Sequence, residues 1–441
     1  MTSVSTPSTG SAPAQALAAG LTMRTATEQD VDAIITQDAW AFPNNTSYAA
    51  LKTVPNPLDF DRTWLIEDEN QVAAMHSSFA FRKFPVPGTT LPVSGLTMVG
   101  VHPQYRRRGI LRAMIETHFA DCRRKGEAVS ALFAAEPTIY GRFGYGPASQ
   151  DVRIKIPRGA ALKPVEGSEE LTVRIETRSK ELHANLIDTV HFQAGQLVGN
   201  TGLNRPGWVG RETEALKDRW HCGIDLEGGR EPQRIVVVER DGKPVAYGTF
   251  RRSLTWQPTG PTGTVEVTET AALDPAAAHR LWSTLINFDL SSVVIPYMLA
   301  TDDPIINLLV NNREVNQTIV DNMWVRIIDL PTALAGRQYS ADLDIVIEVT
   351  DRDITENAGR WRISAQAFGG PSGTAKPVIE RSTEPAQITL DISHLGAVYL
   401  GAGSLTAFAG AGSVTAADPR ALAQASASFA WPNAPVATWM F

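Results

Sequence analysis

Apolar residues recur every three or four positions at Ile110, Leu111, Met114, Ile115, Phe119 and Cys122 and stop at Gly126, which predicts an amphipathic helix closed by a glycine. Immediately upstream the spacing changes: Leu96, Met98, Val99 and Val101 mark a strand, so the turn between the two elements is a helix N-terminus. Nearer the start, Leu21 to Thr25 reads as a strand, and Thr27 with Asp30 as the capping box of a helix that buries Val31, Ile34 and Ile35. Trp64 to Glu67 and Val72 to Phe81 alternate around Asp68-Glu69-Asn70, predicting a hairpin. Val86-Pro87-Gly88 breaks the chain before the next strand, and Val129 to Ala135 reads as a short buried strand.

The plan then recurs. Leu171-Thr172-Val173-Arg174 echoes Leu21-Thr22-Met23-Arg24, Ile235 to Val238 and Val245 to Phe250 flank the turn Asp241-Gly242, and Val265 to Val267 precede a helix holding Leu281, Trp282, Leu285 and Ile286. From about Asp329 the chain shifts to alternating strands, Asp344 to Val349, Trp361 to Ser364 and Ile388 to Asp391, followed by helical stretches rich in alanine. Gly401 to Gly412 reads as a turn or a flexible helix start. The expected class is α/β (α+β), with a tail over 1–20 and units over 21–160, 161–328 and 329–441.

Composition narrows the function classes. The 441 residues, 43% apolar and 20% charged, suffice for about three domains with real cores. No window approaches the ~18 uninterrupted apolar residues that a membrane span requires. Met1 to Gly20 is Ser, Thr, Pro, Ala and Gly with neither a basic start nor an apolar core, and is expected to be a disordered tail, not a signal peptide. Cys122 and Cys222 make no disulfide framework, so the expected setting is cytoplasmic, with secretion left open. A net charge of −7 argues against nucleic acid and mildly favours cationic partners. The eight histidines have no ligand spacing and no metal is expected; His118 falls in an apolar stripe and reads as a core residue.

Candidate chemistry starts at the turn Arg106-Arg107-Arg108-Gly109. At a helix start the amides from Arg107 through Ile110 and Leu111 to Arg112 and the positive end of the dipole converge, and Gly109, lacking a Cβ, lets an anion approach the backbone. Such a turn suits a pyrophosphate; a solvated basic loop is the plain alternative. The second unit has Leu273-Asp274-Pro275-Ala276 at the matching point, a carboxylate and a proline where phosphate amides would be needed, so one such site is expected per chain. The glycine-rich stretch Gly141, Gly144 and Gly146 lacks the order of a dinucleotide fold. It permits a compact loop, in which Tyr140 is a candidate general acid, because a phenol with a reference pKa of about 10 matches an alkyl thiolate. An aromatic packed beneath a glycine turn is the alternative, and Tyr145 reads that way.

The strand, the turn Arg106-x-x-Gly109-x-Leu111, the segment Pro137-Thr138-Ile139-Tyr140-Gly141-Arg142-Phe143-Gly144-Tyr145-Gly146-Pro147 and the final Phe441 together resemble the Eis-type N-acetyltransferases of the GNAT superfamily. The resemblance continues through Leu281-Trp282, Asp303-Pro304, Trp324-Val325-Arg326 and Val398-Tyr399-Leu400-Gly401, covering nearly everything after residue 20. Leu111 departs from the small residue usual at its position. The resemblance implies tandem GNAT-like domains, the second degenerate, a closing sterol-carrier-like domain, and acetyl-CoA as co-substrate. It implies that the backbone at Val99, Gly100 and Val101 holds pantetheine, that Ala135 and Glu136 approach the cofactor, and that Tyr140 serves as the acid. It also implies that the buried carboxylate of Phe441 deprotonates the ammonium of the acceptor; the apolar tail from Trp431 to Phe441 would otherwise be a hydrophobic plug. A homohexamer acting on aminoglycoside or similar polyamine acceptors follows from the same resemblance. Met440, with Asn44, Asn45 and Tyr48, makes the expected pocket less acidic than in some members, so another small amine or a protein lysine stays open. A non-catalytic acyl-CoA or lipid-binding protein is the reading from a different class.

Overall fold

The computed structural model describes residues 17–43, 48–69, 71–223, 230–369 and 376–441; residues 1–16 of the tail expected over 1–20, and Asn44, Asn45 and Asn70, lie outside the described residues. Leu17 packs against the first unit beside Leu21 and Met23.

In the first unit β1 (Thr22–Thr25), β2 (Trp64–Glu67), β3 (Val72–Val86), β4 (Thr89–Val101) and β5 (Val129–Phe133) lie in that order in one sheet. All pair antiparallel except β4 with β5. The connecting helices are α1 (Val31–Ala41), α2 (Tyr48–Thr53), α3 (Ile110–Lys125) and α4 (Pro137–Tyr140). The Asp30 carboxylate accepts the Thr27 amide at 2.7 Å, as the capping box requires, and Arg24 joins Asp30 to Glu67 of β2 at 2.8 Å each. Strand β3 runs five residues beyond the expected end at Phe81, through a bulge between Phe81 and Phe84. The amides of Arg82 and Lys83 freed there donate to the carboxylate of Glu212, which is why two polar residues fit inside a strand. Val86-Pro87-Gly88 is then a tight hairpin turn, with Gly88 at φ 72°.

The second unit repeats the arrangement with strands Thr172–Thr177, Arg234–Arg240, Lys243–Ser253, Gly263–Ala272 and Ser291–Pro296. Its helices are α5 (Lys180–Gln196), α6 (Glu214–His221) and α7 (Pro275–Ile286). Arg174 reaches Glu239 on the neighbouring strand at 2.9 Å, as Arg24 reaches Glu67, so the sequence echo is a structural one. Asp274 caps α7, accepting the Ala277 amide at 3.0 Å and pairing with Arg240 at 2.8 Å. The chain's own carboxylate fills that helix end, where the first unit leaves it uncapped.

The two units exchange strands. Met323–Ile327 returns to the first sheet and inserts between β5 and Gly146–Pro147, while Gln150–Arg153 pairs with Leu299–Ala300 and Thr318–Asp321. The third unit is a five-stranded sheet in the order Val378–Arg381, Gly359–Ala365, Leu343–Thr350, Ile388–Asp391, Thr415–Ala416, with helices Leu330–Ala335, Ile392–Val398, Leu405–Gly410 and Pro419–Phe429. The stretch Gly401 to Gly412 therefore carries a helix, capped by Ser404. One continuous core joins this unit to the first, from Phe81, Phe84 and Val325 to Tyr399, Phe429 and Trp439. A fully buried ion pair, Arg326 to Asp351 at 2.7 Å, spans the same boundary.

Candidate active site

Strands β4 and β5 pair only at Val93, Ser94 and Gly95 against Val129, Ser130 and Ala131, then diverge. A bulge drives the divergence: β4 shifts register against β3 between Met75 and Ser77, and Met98 opposite takes a left-handed φ of 51°. Beyond Gly95 the edge of β4 that faced β5 has no neighbouring strand among the described residues, which is the condition for an extended ligand to add to it. Leu96, Thr97, Met98 and Val99 on one side and Phe133, Ala134 and Ala135 on the other line a cavity of about 1200 Å³.

At the far end of β4 the chain turns into α3. Arg107 has φ 64°, Gly109 is the N-cap at φ 79°, and no side chain caps the helix. A Cβ on Gly109 would meet nothing within 4 Å, so open space adjoins the amides. Arg106, Arg107 and Arg108 are exposed, with Arg108 lying over the Tyr105 ring at 5.2 Å. These features fit a pyrophosphate, and the splayed β4 edge fits the amides of a pantetheine arm leading from it. Acetyl-CoA would thus be held by the α3 amides, by Arg107 and Arg108, and by the backbone around Val99.

Other expected cofactor residues have different work. The Arg112 guanidinium pairs with Asp353 of the third unit at 3.0 Å and lies over Phe143, so this residue adds its amide to the cradle while its charge is engaged elsewhere. Gly100 is glycine because a Cβ would come within 2.6 Å of Ala41 on α1. Val101 packs among Leu21, Met23 and Ile110 and is not part of the cavity lining. Ile110 is buried in the same cluster, with Leu111 packed beside it. Glu136 is exposed at the N-cap of α4, outside the lining, and its charge helps hold the neighbouring phenol protonated. His118 is a core residue, bonded to Ser130 at 2.8 Å and kept neutral by burial; Tyr145 bonds the same serine at 2.9 Å.

Tyr140 and Phe441 line one cavity although 301 positions separate them. Tyr140 is buried, and burial pushes its phenol up to about 12. The Phe441 ring is packed edge-on between Phe81 at 4.9 Å and Phe133 at 5.1 Å, over Gly95, where any Cβ would come within 3.0 Å of that ring. Burying such a ring is worth about 1.5–3 kcal/mol, enough to seat a chain segment. The tail leading there is fixed residue by residue. Arg205 donates to the Ala434 carbonyl, Val436 to Pro206, and Asn322 both donates to and accepts from Ala437. Thr438 donates to Glu269 at 2.9 Å and lies 3.0 Å from His191, and the Trp439 indole donates to Val209.

Beneath the tail lies a group of residues that sequence reasoning missed. Arg211 is buried 2.5 Å from Glu269 and stacked over Trp220 and Trp439 at 4.1 and 5.4 Å. Burial pushes the Glu269 carboxyl up, but the Arg211 charge outweighs it and holds it down at about 2. Asp38 on α1, half-buried in the cavity wall, is raised by burial to about 6, opposed by Arg219.

A sheet splayed beside an uncapped helix start, with a phenol over the opening, defines the GNAT class of acyltransferases. Residues 22–148 and 207–327 each match the acetyltransferase (GNAT) domain, and 330–438 match the sterol carrier protein domain. The chain is 33% identical to an uncharacterised N-acetyltransferase of Streptomyces avermitilis, across 86% of this chain and 88% of that one. It is 30% identical to N-acetyltransferase Eis of Mycobacterium tuberculosis, across 81% and 82%. The crystal structure of Eis1 from Mycobacterium abscessus matches 95% of this chain and 100% of its own, at 26% identity and a TM-score of 0.77. The chain belongs to the Eis family of N-acetyltransferases.

Proposed function

We propose that this N-acetyltransferase moves an acetyl group directly from acetyl-CoA to a small-molecule amine. The Phe441 carboxylate takes a proton from the acceptor ammonium, directly or through water. The freed nitrogen bonds the acyl carbon, the carbon–sulfur bond breaks, and Tyr140 gives its proton to the departing thiolate; the second proton of the nitrogen passes, directly or through water, to the Tyr140 oxygen and restores the phenol. One observation carries this reading: the exposed β4 edge, Tyr140 and Phe441 share a single cavity. The resemblance to Eis supports aminoglycosides as one acceptor class and a protein lysine as another. A homohexamer is the assembly we infer from the same resemblance, supported by Leu182 and Phe192 standing exposed on α5. No helix among the described residues is long and apolar enough to cross a membrane, in keeping with the cytoplasmic setting we propose.

Thiol release and product mass across a panel of amines test the reading, using native protein beside protein semisynthetically amidated at Phe441. Amine-dependent acetylation by the native protein is expected, with a loss on the order of 10² to 10⁴ on amidation. Acetyl-CoA binding without acetylation of any amine would make the chain an acyl-CoA sensor. Undiminished turnover after amidation would make the tail a plug.

A further inference from the structure

Beyond Tyr140 and Phe441, the lining of the catalytic cavity carries five arginines, Arg153, Arg178, Arg219, Arg230 and Arg251. Three aspartates and the Phe441 terminus share the lining: Asp151 holds Arg153 at 2.6 Å, and Asp321 accepts the Trp324 indole, a neutral partner, at 2.6 Å. Arg178 is half-buried, and its guanidinium donates to the Gln233 side-chain oxygen, the Trp220 carbonyl and His221 Nδ1, none of which carries negative charge; the Glu269 carboxylate that favours its charge is already paired with Arg211 at 2.5 Å. Arg219, half-buried on α6, makes no ion pair among the described residues, and Asp38 is the carboxylate there that favours its charge. Burial works against the charge on both groups. A guanidinium cannot relieve that cost by losing its proton, so it stands until an anion arrives.

The anionic part of acetyl-CoA is not that anion. Its cradle is the α3 turn of the first unit, and Arg107, Arg108 and Gly109 lie outside this lining, whereas Arg178 and Arg219 belong to the second unit.

We propose that the acceptor of this enzyme is a primary amine bearing a carboxylate or phosphate, which Arg178 and Arg219 bind while the amine faces Tyr140 and Phe441. The proposal rests on this cavity being the acetyl-transfer site. Planar guanidinium groups suit either oxyanion, because both accept paired hydrogen bonds.

The test compares matched acceptors: γ-aminobutyrate with butylamine, phosphoethanolamine with ethanolamine, and spermidine and kanamycin as polycations. The anionic member of at least one pair should show kcat/KM at least about tenfold higher, the scale of one charge-assisted hydrogen bond, and the better pair identifies the oxyanion. Arg219→Gln should abolish the preference by raising the acceptor KM, with the KM for acetyl-CoA unchanged, and Arg219→Lys should restore part of it. Equal values within both pairs, or a preference for the polycations, would overturn the proposal. Should no amine turn over, titration of the native protein's tryptophan fluorescence with γ-aminobutyrate and phosphoethanolamine separates the two readings, because Trp220 and Trp439 line the cavity. A saturable change that Arg219→Gln removes would uphold the anion site and discard acetyl transfer; the absence of any such change would overturn the anion site as well.

Discussion

A phenol held at about 12 stays protonated at neutral pH, which the acid role proposed for Tyr140 requires. Asp38 is displaced in the same direction, from 3.8 to about 6. A carboxyl whose folded pKa is raised binds its proton more tightly in the native state, so its contribution to stability falls as pH rises from about 4 to 6. Asp38→Asn should therefore stabilise the fold more at pH about 7 than at pH about 4.5, by about 1–3 kcal/mol in urea unfolding. An equal effect at both pH values would mean that Asp38 is not displaced. Tyr140 stood out in the sequence because it opens a glycine-rich motif, just ahead of Gly141, Gly144 and Gly146. Asp38 did not: it is one acid on an amphipathic helix, and only the opposing wall supplied by α6 turns it into a cavity residue.

Among elements, α3 was the most legible, since its apolar spacing, its glycine stop and its basic start all act locally. The bulge in β4 was not legible, because it is a register relation with β3 and leaves no mark in the local pattern. The same holds for the extension of β3, which needs Glu212 to serve two freed amides. In the proposed phosphate site Arg107 and Arg108 lie far from the thioester and should contribute equally to ground and transition states. Replacing both with Ala should raise the KM for acetyl-CoA about tenfold or more and leave kcat nearly unchanged, in steady-state kinetics. An unaltered KM would rule out the α3 turn as the phosphate site. Arg112 marks the limit of the motif: its position in the turn was read correctly, but its charge answers to Asp353, 241 residues later.

At the scale of the whole chain, three units converge on one cavity: the first supplies β4 and Tyr140, the second Arg178 and Arg219, and the third the segment ending at Phe441. Strand exchange ties the first two together, and a shared core fixes the third. The repeat of two units was visible as paired patterns, whereas the exchange was not, because Met323–Ile327 reads as an ordinary strand of the unit that precedes it. The tail was legible as apolar; its anchors, Glu269 and His191, lie 169 and 247 residues from Thr438. Thr438→Val keeps the shape, takes one donor from Glu269 and leaves the buried His191 Nε2 without its hydroxyl partner, so it should cost about 1–3 kcal/mol of stability. It should also lower kcat more than acetyl-CoA affinity; a kcat equal to wild type would separate the network from catalysis. The central claim is that acetyl transfer takes place where β4, Tyr140 and Phe441 meet, and Tyr140→Phe tests it most directly, since it removes one proton and keeps the ring. With the same amine, kcat should fall on the order of 10² to 10⁴ while calorimetric acetyl-CoA binding is unchanged; a variant that turns over at the wild-type rate would contradict the account.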